Sequence, residues 1–507
     1  NVTHLGTNQM GRYALHMHRL LGPVSPLPNG FQFTLLGNVS DGGGVALNRF
    51  KWAITVHDSH YGLVRDNIMY NCGGACFMTE DGNESFNVIE RNFALRSYGT
   101  SGRDHMGREA TGFWFRGPNN YVRDNVAANL PGAPAENNHG YSIWQTYLGN
   151  IKIPNFKGAD TSVSGQYTVK DGNAMPLLEF ARNEVYGATV KGITAWWLGT
   201  FGDTPRATQD SIIKDFRVWH VHNQAVNYYP SSRVIYDGMT VRGGQTPNVS
   251  ACCSSGFFGG DYFANDITIR NADIQGMGTG IDFSTNSGGT QTVENSYLRN
   301  YHNIFVKTLY TSAPNASGIP PRIMVVRNVQ FAAPPVSLSS HPYAAIATSY
   351  TASPVRHLTQ RDEVSVSSYN KAAGVDFRVY YKEQAPTFVV PQTIIDSDGK
   401  PDLIGSPEAG LTNAQNWTKY NIAIAGAVAP CTEATTHPEI LGFTCPTTPP
   451  PPPDSTPPSV PTGLTVTSPT ETSLRLSWSA ATDAESGISR YHVYRETLRI
   501  GQPTGTT

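Results

Sequence analysis

The chain has 507 residues, of which 15% are charged, with 37 Lys and Arg against 39 Asp and Glu for a net charge of −2. That balance excludes a general nucleic-acid binder, which needs a basic stripe, and no run of 18 apolar residues exists to span a membrane. Gly (49), Pro (35) and Tyr (24) are abundant and the composition of coiled coils and helix bundles is absent, so a large, weakly charged, turn-rich all-β protein remains.

The chain opens on Asn1 and stops at Thr507 inside a domain, which reads as an excerpt of a longer protein. Its first hundred residues hold the densest polar cluster. GRYALHMHRL (11–20) places His16 and His18 two apart, on one face of a strand. ITVHDSHYG (54–62) brings His57, Asp58 and His60; CFMTEDG (76–82) brings Glu80 and Asp81; TGFWFRGPNN (111–120) brings Arg116. Aligning these segments on their apolar positions puts Met17, Val56, Thr79 and Phe115 in one column and His18, His57, Glu80 and Arg116 in the next.

A repeat runs through the same region. Short strands end on an Asn or Asp at Asn67, Asn92, Asn125, Asn183, Asp215, Asp237, Asn271, Asn295 and Asn328, at intervals of 25, 33, 58, 32, 22, 34, 24 and 33. Reading the 58 as two turns gives a regular solenoid. Asn tolerates the left-handed region, and its amide can bond its neighbours in the next turn. The pattern therefore predicts a right-handed parallel β-helix over residues 1–344, with equivalent positions in successive coils about 4.8 Å apart. A propeller or sandwich is the alternative.

On such a scaffold the polar column is a candidate catalytic constellation: His18, His57, Glu80, Asp81 and Arg116. His16, His18 and His57 are candidate ligands for a divalent ion. A satisfied polar ladder or a turn is the structural alternative for each. Aromatic residues recur farther along, at 113–115, 141, 144, 196–197, 219 and 228–229. Alternate members of each group face outward, where rings suit stacking on sugar faces. Trp114, Trp144, Trp197 and Tyr228 are accordingly candidate substrate contacts, with core packing as the alternative.

Cys72 and Cys76 read as a local disulfide or two buried thiols rather than a metal pair, and Cys431 is spaced to pair with Cys445. Residues 345–445 lose the repeat and predict a small β-rich extension or cap, with strands in 376–384 and 387–395 and a short helix at GLTNAQNW. Residues 446–460 form a Pro-rich stiff linker. Residues 461–507 alternate like strands and resemble part of a fibronectin type III β-sandwich, with Trp478 and Tyr491 as its core aromatics.

GRYALHMH, ITVHDSHYGLVRDN, GGACFMTEDG and FWFRGPNNYVRDNVAA resemble segments of the cell migration-inducing and hyaluronan-binding protein family, which includes the cell-surface hyaluronidase and fibrocystin. The resemblance implies a parallel β-helix and extracellular or cell-surface hyaluronan binding. For some members it implies depolymerisation with a divalent cation, calcium. It points to His16, His18, His57, Glu80, Asp81 and Asn119. The expected function is a monomeric, secreted or surface polysaccharide-depolymerising enzyme, either hydrolase or lyase. A hydrolase would pair Glu80 with Asp58 or Asp104; a lyase would use His57 as base with a cation or Arg116. A non-catalytic glycan-binding adhesin is the rival, and a trimeric fibre a more distant one.

Overall fold

The computed structural model describes residues 13–20, 30–42, 52–99, 107, 109–131, 138–155, 166–202, 204–243, 254–259, 263–283, 286–307, 323–332 and 334–335. It further describes the strands 344–349, 361–367, 377–382, 393–395, 401–405 and 422–426, then 458–467, 475–483, 491, 493–495, 498–501, 503 and 505–506. The chain divides into two units, Asn1–Leu441 and Gly442–Thr507.

The first unit is a parallel β-helix. Its strands fall into three long sheets of 13, 14 and 10 strands, and each of the first ten coils contributes one strand to each. The sheet that carries the polar column begins Leu15–His18, Ile54–His57, Ala75–Thr79, Thr111–Phe115, His139–Trp144 and Lys191–Trp196, each parallel to the next. The second sheet begins at Phe33–Leu36 and the third at Val39–Asp41.

Register stacks like on like through the interior. Phe77, Phe113, Tyr141, Ile193, Val226, Phe257, Ile281 and Ile304 form one unbroken column of fully buried side chains. Phe113 and Tyr141 stack with ring centroids 4.9 Å apart. Each such side chain contributes about 1.5–3 kcal/mol by leaving water. The expected column of Met17, Val56, Thr79 and Phe115 is also present, and its members pair coil to coil.

The turns between the second and third sheets are tied by an amide ladder. The backbone N–H and side-chain NH2 of Asn67 both donate to the Asn92 carbonyl oxygen, at 3.1 and 2.8 Å. Asn92 does the same to Asn125, and Asn125 to Asn183. Each NH2 also donates to the carbonyl of a residue in the preceding strand, such as Val64 for Asn92.

The left-handed residue at this corner is the one before the ladder Asn. Asp66, Arg91, Asp124, Arg182, Asp215, Asn271, Asn295 and Asn328 all have φ between 50° and 57°, and Gly238 takes the same place at 76°. The sequence repeat thus joins two neighbouring columns. Through Asn183 it follows the buried amides; from Asp215 onward, Asp237 apart, it follows the left-handed corner, and Phe216 stands where the ladder Asn would be. The 58-residue interval is also one coil rather than two, because Tyr121–Arg123 pairs directly with Glu179–Ala181. An antiparallel hairpin, Asn150–Pro154 with Tyr167–Asp171, is inserted in that coil.

Beyond residue 344 two of the sheets continue. Ala344–Ser349 and Arg361–Ser367 add parallel strands, and Phe377–Lys382 and Ile422–Gly426 then close the second sheet in antiparallel fashion. The expected GLTNAQNW helix, the Cys431–Cys445 pair and nearly all of the Pro-rich linker lie outside the described residues. In the second unit Thr462–Thr467 pairs antiparallel with Arg475–Ser479, and Trp478 meets Tyr491 edge-on at 5.3 Å. Leu464 and Val466 of this hairpin are exposed. Among the described residues no helix is long and apolar enough to cross a membrane.

Asn92→Ala orphans the Asn67 donors and the Val64 carbonyl, all in or beside the buried ladder. Urea unfolding will show a loss of about 3 kcal/mol. Asn38→Ala, at the solvated end of the same ladder, will cost under about 1 kcal/mol.

Candidate functional site

The polar column sits where strands of the first sheet end and turn. His18 pairs in register with His57, one coil apart, and their rings meet edge-on at 4.5 Å. The His16 ring stacks near His57 at 5.7 Å. Glu80 directly follows Ala75–Thr79, and its N–H donates to the Val56 carbonyl, which carries the parallel pairing one residue past the strand. This sets the His57 imidazole between two carboxylates. Its Nδ1 is 3.3 Å from Glu80 and its Nε2 2.7 Å from Asp81. The cluster is partly open, with His57, Glu80 and Asp81 side chains 19, 13 and 41% exposed.

Burial pushes the Glu80 carboxyl up, against His57, and Asp81 pushes it further. Tyr13 hydrogen-bonds Glu80 and stacks on Trp52 at 4.5 Å. Asp58 is likewise raised, by burial and then by Asp81. Arg116 follows Glu80 by one coil, its N–H donating to Thr79 Oγ1; its guanidinium feels Glu84 and Asp81. His60 is buried, and burial alone lowers it to about 4, so it is neutral at physiological pH.

Beneath the cluster lies Glu84, which sequence reasoning missed. One carboxylate oxygen accepts the N–H groups of Asp58 and Asp81, both at 2.9 Å, and the other accepts Gly82 N–H at 2.7 Å. The residue is fully buried, and burial raises its carboxyl to about 7. Glu84 therefore clamps the turn after His57 to the turn after Glu80. Its only sequence signal is a carboxylate two residues past EDG, which a turn residue gives equally well. Gly82 needs its φ of +94°, and Leu148 packs where any side chain would stand.

His16, His57 and Glu80 each offer a ligand atom, all within 4.8 Å of one another. Glu80 thus takes the place expected for His18, whose side chain is exposed. Two imidazoles and one carboxylate suit a zinc- or manganese-class cation. They do not suit calcium, which takes six to eight oxygen ligands.

The aromatic candidates divide. Trp197 is half-buried, and Trp144 is 7% exposed, stacked on Trp196 at 4.6 Å. Trp114 is fully buried within the Trp144–Trp196 cluster on the outer face of the sheet, so it supports that face and offers no open ring. Tyr228 points into the coil interior, where its hydroxyl donates to the Asp282 carbonyl; its neighbour Tyr229 faces the outer cluster instead. Asn119 is buried, and its carbonyl accepts the Phe86 N–H. Asp104 lies outside the described residues. Cys72 and Cys76 form a disulfide inside the coil.

The family profile described as CEMIP beta-helix matches residues 1–193. Fibrocystin-L of Mus musculus is 26% identical over 300 residues, covering 57% of this chain and 6% of that protein. The Homo sapiens cell surface hyaluronidase CEMIP2 is 30% identical over 152 residues, covering 25% of this chain and 10% of that protein. Chitinase Chi52 of Paenibacillus xylanexedens is 49% identical over a shorter stretch of 54 residues, 11% of this chain and 10% of the chitinase. The chain thus spans a tenth or less of each of these relatives. The coils that carry His16, His57 and Glu80 lie within the stretch that is similar to the CEMIP and fibrocystin-like β-helix family.

Proposed function

We propose that this protein binds and depolymerises an extracellular polysaccharide at the His57 cluster, acting on a uronate-bearing chain. The convergence of His16, His57, Glu80 and Asp81 at a partly open edge of one sheet carries this reading. An adhesin has no need of an imidazole held between two carboxylates. The relatives named for hyaluronidase and chitinase activity support the substrate class. The Cys72–Cys76 disulfide favours an oxidising, extracellular setting. The Trp478–Tyr491 contact supports reading the last residues as part of a fibronectin type III module.

Glu80, raised by burial, suits the proton donor to the leaving sugar oxygen. Asp81, on the far side of the imidazole and more exposed, supplies the second carboxylate of a hydrolase. In a lyase His57 instead takes the proton beside the uronate carboxylate, which Arg116 faces. A zinc-class cation held by His16, His57 and Glu80 would supply Lewis-acid chemistry when bound, in place of the Glu80 proton donor and the His57 base.

The test is release of reducing ends and of 235 nm absorbance from uronate and neutral polysaccharides. His57→Ala and Glu80→Gln will each lower the rate at least about a hundredfold. Ends without absorbance identify hydrolysis; absorbance identifies elimination. A wild-type rate in both variants sinks the assignment. Zinc will raise the melting temperature of the wild type and not of His16→Ala, and calcium will raise neither.

Glu84 adds a pH dependence of stability. Its folded value of about 7 lies above the ordinary 4.5, so its stabilisation is present below 4.5 and is lost as pH rises through 7. Glu84→Gln removes the titration, with its NH2 unable to accept the N–H bonds made to one carboxylate oxygen. Between pH 5 and 8 the wild type will lose up to about 3 kcal/mol relative to that variant, measured by urea midpoints.

A further inference from the structure

Tyr147, Trp197 and Phe201 form a ring cluster on the same edge of the sheet as Glu80, two to three coils farther along. Tyr147 lies 6.2 Å from Trp197 and meets Phe201 edge-on at 5.1 Å. Tyr147 is 59% exposed, and Trp197 and Phe201 are half-buried. Behind them Trp197 rests on Trp196 at 5.3 Å and on Trp144 at 6.4 Å. The exposed Arg206 places its guanidinium 5.7 Å from the Phe201 ring centre.

These rings are held in place by a buried amide. Asn173 donates to the carbonyls of Gln145 and Thr200, at 2.6 and 2.7 Å, and accepts the Gly149 N–H at 2.8 Å. It therefore ties the turn bearing Tyr147 to the turn bearing Trp197 and Phe201. The same Tyr147 turn carries Leu148, which packs on Gly82 beside Asp81. Lys152, at the start of the inserted hairpin, donates its N–H to Asn83 at 2.7 Å. The ring cluster and the acid cluster are thus built on touching turns. Strand spacing places Trp197 about 14 Å along the helix axis from Glu80.

We infer that Tyr147, Trp197 and Phe201, with Arg206 at their edge, form a subsite that takes one sugar ring of an acidic polysaccharide whose scissile bond lies at Glu80. The inference rests on the polysaccharide reading above. Sugar rings present an apolar C–H face, which a rigid aromatic surface covers at little entropic cost. An exposed Arg beside that surface pairs with a carboxylate on the same ring or its neighbour. A linear chain lying along the coils reaches both clusters without leaving the sheet edge.

Affinity electrophoresis in a uronate polysaccharide, and in the same polymer with its carboxyl groups reduced to alcohols, tests this directly. Tyr147→Ala and Trp197→Ala will each weaken binding to both polymers about tenfold. Arg206→Gln will weaken binding to the acidic polymer alone. Because Trp197 packs on buried tryptophans, Trp197→Phe serves beside it and will recover part of the affinity; Tyr147→Ala keeps the fold, as shown by an unchanged melting temperature. Wild-type affinity in Tyr147→Ala and Trp197→Phe, while the wild type still releases products, overturns the subsite and leaves the proposed function standing. A wild type that neither binds nor cleaves either polymer overturns that function and the subsite with it.

Discussion

The structure depends on in-register parallel pairing of short strands, coil upon coil. This pairing turns residues far apart in sequence into neighbours at a fixed spacing of about 4.8 Å. Every column in the molecule follows from it: the Phe77–Phe113–Tyr141 interior, the Asn67–Asn92–Asn125–Asn183 ladder and the His18–His57–Glu80–Arg116 edge. The amide ladder makes the register costly to shift. A slip of one residue would orphan two donors per rung inside a dry turn and turn each strand's buried face to solvent.

A column of polar groups on such an edge needs a second level of order, because a turn is looser than a strand. Two buried side chains supply it by the same device. Glu84 gathers the N–H groups of Asp58, Asp81 and Gly82 from two adjacent turns. Asn173 gathers carbonyls and an N–H from the turns of Gln145–Gly149 and Thr200. Each is fully buried, and each acts on backbone rather than on the exposed side chains. The exposed groups stay free to meet a ligand while their separation is set from below.

Much of this was legible in the sequence. Apolar residues ahead of the turn fixed the alignment of Met17, Val56, Thr79 and Phe115, and the polar column followed at the next position. Other features were hidden for definite reasons. The Asn repeat crossed from one column to the next after Asn183, because Asn serves two adjacent places: as a buried amide at one and as a left-handed corner at the other. The inserted hairpin looked like an extra turn because it has nearly the length of one coil. In the doublet Tyr228–Tyr229 one ring must face inward, and two equal residues carry no parity; strand register alone sends Tyr228 inside. Glu84 and Asn173 gave no signal beyond that of ordinary turn residues, since the partners that give them their role, Asp58 for one and Gln145 and Thr200 for the other, are backbone groups brought close only by coiling.

The inserted hairpin also explains why the open part of the site lies where it does. In the coils between, the first sheet's outer face is closed at Trp114, Ser142 and Thr194, all fully buried. At the turn edge, the hairpin is anchored through Lys152 to Asn83, and its leading turn rests on Gly82 through Leu148. Tyr147, in that leading turn, stands exposed beside Trp197. The coil with the insertion thus carries exposed rings on the same edge as the partly open acid cluster. The insertion brings no member of the acid cluster; it sets exposed rings on the same edge as that cluster.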